Sequence, residues 1–307
     1  MGSLPYLAWL IVCLVWGTTY LGIAVALESI PPALVGGIRW TIGGFILAAV
    51  LRARGQSLPS RDNWAGFALA GMLMIGLGNG AVVFAELWVP SGIAAVIIAS
   101  SPFWLMGIEA ILRDGERLTR QGLIGLLVGF SGIVLLVWPD LTVGGESGRQ
   151  FLLGVVLLQV ACLGWTGGTS YARRFAREDN PLGGSALQMI FAGMAMLVLA
   201  TIRGEWAALA FTPRSLAAEI YLTLVGSLLA YSAYLYAIRH LPLSTVSLYS
   251  YINPVIAVIL GSLLLGEPFG PRIIVASAMV LLGVAVVKWT GARTAAGRAP
   301  AGARPAA

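Results

Sequence analysis

The chain has 307 residues, of which 58% are hydrophobic and 10% charged, far below the roughly 25% charged of an average soluble domain. That balance excludes an ordinary soluble enzyme. The net charge is +6, but it comes from one lysine, Lys288, and eighteen arginines scattered between apolar runs, so no basic patch for nucleic acid is formed.

A helix crossing the roughly 30 Å hydrocarbon core of a bilayer needs about 20 mostly apolar residues. Ten windows of that kind occur, at approximately 6–27, 32–52, 65–88, 91–113, 120–138, 151–172, 182–202, 216–238, 243–265 and 271–290. The first ends in Ala24-Val25-Ala26, which resembles a signal-peptidase site. No Lys or Arg precedes it and its apolar run is too long for a signal peptide, so the segment is expected to be retained. Cys13 and Cys162 lie inside apolar windows with no His or Cys nearby, which suits small packing residues better than a metal site or a disulfide.

Loops after the second, fourth, sixth and eighth windows, with the C-terminal segment, carry fourteen Lys and Arg; the opposite side carries four, Arg149, Arg203, Arg214 and Arg272. Positive charge stays on the cytoplasmic side, so both termini are predicted there.

The two halves repeat each other. Cys13-Leu14-Val15-Trp16 recurs as Cys162-Leu163-Gly164-Trp165, and Pro32, Gly44 and Gly55 recur as Pro181, Gly193 and Gly204. Pro90 and Pro102 recur as Pro242 and Pro254, Gly115-Glu116 as Gly266-Glu267, and the run Gly132 to Trp138 as Gly283 to Trp289, all at offsets of 149 to 152. Five spans per half is an odd number, so the halves must run in opposite senses. The expected fold is therefore an all-α membrane protein of ten transmembrane helices in two inverted five-helix repeats. Residues 1–138 form the first repeat, 139–150 an extracytoplasmic connector, 151–290 the second repeat and 291–307 a disordered cytoplasmic tail. Inverted repeats recur in secondary transporters, where the substrate site lies near the midplane between the halves.

The Trp16-Gly17 pair in the first span, Arg39 in the second, and proline-centred fourth spans closing on Gly115-Glu116 and Gly266-Glu267 resemble the EamA type of drug/metabolite transporter over about residues 6–290. The second half departs from it with Trp165-Thr166 in place of Trp16-Gly17. The resemblance implies a multi-pass protein of a bacterial inner membrane that exports amino acids or related small metabolites, with the lipid bilayer and a small molecule as its partners and no cofactor.

Several residues are candidates for the substrate path. Pro102 and Pro254 each remove a backbone hydrogen bond near mid-span and expose carbonyls one turn earlier. Ser100-Ser101 and Ile252-Asn253 immediately precede them, so a kinked helix lining a polar cavity and a kink satisfied by its own side chains are both open readings. Arg39 lies about 10 Å inside its span at 1.5 Å per residue; its repeat counterpart is the neutral Gln188. An Arg39–Glu86 interaction, direct or through water, is one reading; snorkelling of Arg39 with a solvated Glu86 is the other. Asn79 shares the helical face of Glu86. Trp16, Thr19 and Tyr20 form a polar stripe, as do Ser227, Tyr231 and Tyr234, and Ser244, Ser247 and Tyr251. Such rows seldom face lipid. With Trp104 and Trp165 they suit either a neutral, aromatic cavity or polar contacts between helices. Glu109 with Arg113 reads as a helical ion pair, Glu116 and Glu267 as loop caps, and Gly125 with Gly129 as a close-packing step.

Enzymatic chemistry is missing. The four aspartates fall outside the spans without metal-binding spacing, His240 is the sole histidine, and no GxxxxGK[ST] sequence occurs, which argues against magnesium, zinc or ATP-driven catalysis. The favoured function is a secondary transporter working by alternating access; the alternative is a passive channel for small solutes. Glu86 is the carboxylate best placed for proton coupling.

Overall fold

The computed structural model describes residues 3–112, 120–142, 145–175, 181–241, 246 and 248–297. Among these residues every regular element is helical. Eight helices are long and apolar enough to cross a membrane, and two shorter apolar helices cover Tyr249–Leu265 and Pro271–Val286. Large apolar side chains face outward all round, with Ile111 88%, Ile202 78% and Leu263 75% exposed. A soluble protein keeps such patches small, whereas lipid accepts them.

Helix α1 (Leu4–Ala26) and α2 (Pro32–Ala53) both begin with proline in the first turn, where the missing N–H costs nothing. The third span is a chain of three pieces, α3 (Trp64–Gly71), a π-helical turn over Met72–Asn79 and α4 (Gly80–Ala85). The fourth is broken into α5 (Ser91–Ile98) and α6 (Ser101–Ile111). There follow α7 (Arg120–Thr142), α8 (Gly145–Phe175) and α9 (Pro181–Ile202). The eighth span repeats the pattern of the third: α10 (Pro213–Tyr221), a π-helical Leu222–Leu229 and α11 (Ala230–His240). Helices α12 (Tyr249–Leu265) and α13 (Pro271–Gly297) complete the bundle.

Three boundaries differ from the sequence expectation. Helices α7 and α8 extend into the expected connector, the one to Thr142 and the other from the left-handed Gly145. Helix α13 continues to Gly297 instead of stopping at Thr290, because Ala292, Arg293, Ala295 and Ala296 after the apolar window are good helix formers. The ninth span is described as continuous helix only from Tyr249, so Pro242, Ser244 and Ser247 lie outside the described residues.

Helix α2 runs along α9 and α7 along α13. Lipid supplies no hydrophobic force between helices, so close backbone approach through small residues does the work. A Cβ on Gly44 would lie 2.9 Å from Ile190 N, and one on its repeat counterpart Gly193 would lie 2.9 Å from Trp40 C. At the other contact, a Cβ on Gly132 would lie 3.0 Å from Val280 N, and one on its counterpart Gly283 2.6 Å from Gly129 N. The Gly125–Gly129 step is thus used inside the chain, against α13.

Candidate functional site

Side chains from α1, α8, α11 and α12 converge on Trp16. Its ring meets Trp165 edge-on at 5.8 Å, Tyr249 edge-on at 5.2 Å and Tyr234 at 5.1 Å. Tyr234 also stacks with Tyr231 at 6.3 Å, and Tyr231 meets Trp40 edge-on at 6.1 Å. Edge-to-face packing at these separations holds aromatic rings in place. Their polar ends are tied down as well: Tyr231 Oη donates to Gln188 Oε1 at 3.0 Å, Trp40 Nε1 to Asn79 Oδ1 at 2.9 Å and Trp16 Nε1 to the carbonyl of Gly226 at 3.3 Å. Trp40 stood outside the expected stripes because glycines occupy positions 36, 37, 43 and 44 around it, while Tyr249, four residues before Asn253, carried a helical-spacing signal that sequence reading passed over.

Gly226 belongs to the π-helical turn of the eighth span, and the sequence had offered no sign of either π segment. Such turns are rare and concentrate at functional sites. The two begin 150 residues apart, at Met72 and Leu222, within the offset of the sequence repeat. The first packs on α8, where a Cβ on Gly164 would lie 2.8 Å from Leu73 O and 2.9 Å from Gly78 N. The second packs on α1 and α2, and a Cβ on Gly226 would lie 3.0 Å from Thr19 Cγ2 and 3.3 Å from Arg39 Nη2.

Arg39 is 2% exposed. Its Nε donates to Ser227 Oγ at 2.6 Å, and its guanidinium stands 4.7 Å from the Trp40 ring centre; Nη1 has no hydrogen-bond partner. The direct Arg39–Glu86 ion pair is not formed: both Glu86 carboxylate oxygens are buried without a partner, and the strongest opposite charge acting on Arg39 is Glu219 on α10. Glu219 is 3% exposed with both carboxylate oxygens unpartnered. Sequence reading missed it because it sits between Ala218 and Ile220 near the start of a span, where a carboxylate reads as interfacial. Glu86 terminates α4 and lies in the fields of Glu267, Arg39 and Tyr20.

The remaining candidates lie elsewhere. Pro102 splits its span, and the freed carbonyls are taken by Ser100 Oγ to Ile97 O at 2.6 Å and Ser101 Oγ to Ile98 O at 2.7 Å, so that break is satisfied by its own serines. Pro254 lies within the helical stretch of α12; the amide of Asn253, with its nitrogen turned to the carbonyls, donates to Cys13 O at 2.9 Å and Tyr249 O at 3.1 Å. Ser101 also reaches Cys162 Sγ at 3.4 Å, and Trp104 Nε1 donates to Gln159 Oε1 at 2.8 Å. Tyr251 packs beside Phe103 and Val284, apart from the Trp16 cluster. Glu109 accepts from Ser170 Oγ at 2.9 Å, and Arg113 and Glu116 lie outside the described residues.

Several polar contacts tie neighbouring segments together at the end of the bundle nearest Arg39. Glu205 Oε2 accepts from Ala33 N at 2.9 Å and Leu34 N at 3.3 Å, and Glu267 accepts from Ser91 N at 2.7 Å and Gly92 N at 2.9 Å. Each carboxylate thereby satisfies orphan N–H groups at a helix start. Arg214 bridges Glu28 at 3.2 Å, and Ser29 Oγ donates to Ser215 Oγ at 2.6 Å. Glu267 is thus a helix cap reaching across the chain rather than a cap of its own loop.

A multi-pass helical bundle with buried charges and tethered aromatics in its interior defines the class, a membrane transport protein. The sequence profile of the EamA-like transporter family matches residues 3–138 and 152–289, and the chain belongs to that family. It is 34% identical over 255 residues to the "uncharacterized inner membrane transporter YedA" of Escherichia coli (strain K12), covering 83% of this chain and 80% of YedA. It is 24% identical to the "uncharacterized transporter YvbV" of Bacillus subtilis (strain 168), covering 92% and 90%. A crystal structure of a protein 20% identical in sequence superposes with a TM-score of 0.66 over 96% of this chain and 99% of its own, which shows the shared fold. The chain is a membrane transporter.

Proposed function

We propose that the protein is a secondary transporter of the bacterial inner membrane that exports amino acids or related small metabolites by alternating access. The residues 3–138 and 152–289 matched by the family profile are read as two five-helix repeats of opposite sense, with both termini cytoplasmic as the arginine distribution requires. Within the family, the amino-acid exporter YddG is the relative this reading follows.

The carrying observation is the aromatic cluster around Trp16, built by α1 of the first half and α8, α11 and α12 of the second. Side chains contributed by both halves come apart and together when one half rocks on the other, which is what alternating access at a central site needs. The ties from Glu205, Glu267 and Arg214 lie at the end that the charge rule places outside, which supports reading this state as closed to the exterior. Asn79, Gln188, Tyr231 and the hydroxyl of Thr19 surround the cluster with neutral polarity suited to a zwitterion or an apolar metabolite.

Uptake of labelled amino acids into proteoliposomes tests this. Saturable uptake of particular amino acids is expected, lowered by about tenfold or more in Trp16→Ala through lost aromatic contact. Non-saturating flux would make the protein a channel, and no uptake of any amino acid by folded protein would sink the assigned cargo.

A further inference from the structure

The reading of the chain as an amino-acid carrier leaves one feature of the interior unused: two opposite charges, almost fully buried, that do not satisfy each other. Arg39 and Glu219 are 2% and 3% exposed, and Ser227, which holds Arg39 Nε, follows Glu219 by about two turns along the same helical stretch, yet their charged ends form no ion pair among the described residues. Arg39 keeps Nη1 free while Ser227 holds Nε, and Glu219 keeps both carboxylate oxygens free. Buried charge is costly in a membrane span and persists where it serves a path for substrate or ions. A buried donor and a buried acceptor that are both left open make a complementary receptor for a molecule carrying both charges.

We propose that Arg39 and Glu219 together receive the zwitterionic head of the cargo, the guanidinium taking its carboxylate and Glu219 its ammonium. The placement fits this role. Ser227 fixes the guanidinium from the π-helical turn, Gly226 beside it lets the turn approach Nη2 closely, since a Cβ there would lie 3.3 Å from it, and the Trp16 indole bonded to Gly226 O leads from the charged pair into the aromatic cluster. The cargo's side chain then lies among the rings and its head between the charges.

A proton competes with the ammonium for the same carboxylate. Arg39 from α2 is the charged group facing Glu219; α1 and the π-helical turn, which pack on α10, contain no Asp, Glu, Lys, Arg or His in Leu4–Ala26 or Leu222–Leu229. Protonation of Glu219 removes the ammonium's partner and leaves Arg39 for the carboxylate alone. Proton and cargo therefore exclude each other at Glu219, as exchange of one for the other across the membrane requires.

The test uses the full chain in proteoliposomes. The labelled amino acid taken up best is compared with its decarboxylated amine and its α-keto acid, which keep the side chain but only one charge each. Wild-type protein is expected to favour the zwitterion over either by about tenfold or more, the loss from one charged hydrogen bond. Protons should compete with its uptake. Glu219→Gln should lose both the preference over the keto acid and the proton competition, Glu219→Asp should regain the competition, and Arg39→Gln should lose the preference over the amine. Folding of each variant is checked by its thermal unfolding in detergent, and the Asp variant keeps the test open if Gln does not fold. Retention of proton competition and of both preferences in folded Glu219→Gln overturns this proposal alone. Failure of wild-type protein to carry any amino acid overturns it together with the assigned cargo.

Discussion

The two π-helical turns occupy matching places in the two halves and serve different ends. Met72–Asn79 is pressed backbone to backbone on α8 through Gly78 and Gly164, whereas Leu222–Leu229 holds side chains, with Gly226 O accepting from Trp16 and Ser227 Oγ from Arg39. A duplicated backbone device has thus become a close-packing joint in one half and a cradle for charge in the other. The substitutions that separate them follow from what surrounds each glycine or serine.

The largest effect on stability is expected at the joint. In Gly164→Ala the added methyl meets main-chain atoms at 2.8 and 2.9 Å, which cannot rotate away, so the π turn and α8 must part at a cost of about 2 kcal/mol or more. Thermal unfolding in detergent measures it, and an unchanged midpoint would mean that the joint yields to a methyl group. Next comes the cradle: Ser227→Ala strips the buried guanidinium of its one side-chain acceptor and should cost about 1–3 kcal/mol. The counterpart Leu77, 42% exposed, should tolerate alanine within about 0.5 kcal/mol. Equal losses at the two positions would erase the distinction between the halves.

Gly226→Ala reads function more than stability. Its methyl meets the ends of Thr19 and Arg39, at 3.0 and 3.3 Å, and these side chains can shift, so stability should fall by only about 1 kcal/mol. Transport should fall by about tenfold as Arg39 moves, measured as initial uptake into proteoliposomes; a stability loss matching that of Gly164→Ala would place the second turn among the packing joints too. Smallest is Trp16→Phe, which keeps the ring and removes the 3.3 Å bond to Gly226 O. About 0.5–1 kcal/mol of stability is expected to go with it, and a loss above about 2 kcal/mol would show that the indole does more than tether the turn.

Much of this was legible beforehand in particular residues. Trp16, Tyr231 and Tyr234 were marked by helical spacing and Trp165 by its repeat match to Trp16, and the four rings do converge. Arg39 was marked by its charge and depth, and it is buried. Of its two open readings, a direct contact with Glu86 is not formed, and the buried Glu219 of the other half was not marked at all. Ser101, Trp104 and Tyr251 were chosen by residue type and neighbourhood, yet their helices turn them to other contacts.

The division has a physical cause. Hydropathy, charge asymmetry and repeated landmarks are local properties of a chain, and the bilayer converts them directly into spans, since each backbone group must be satisfied within its own helix. Composition and order therefore determined a helical membrane protein with two related halves. Which charge faces which, whether a proline breaks its helix, and where a helix widens into a π turn depend on contacts between spans far apart in sequence. Those contacts are set by the close approach of glycine-lined helices, and they exist only once the bundle is assembled.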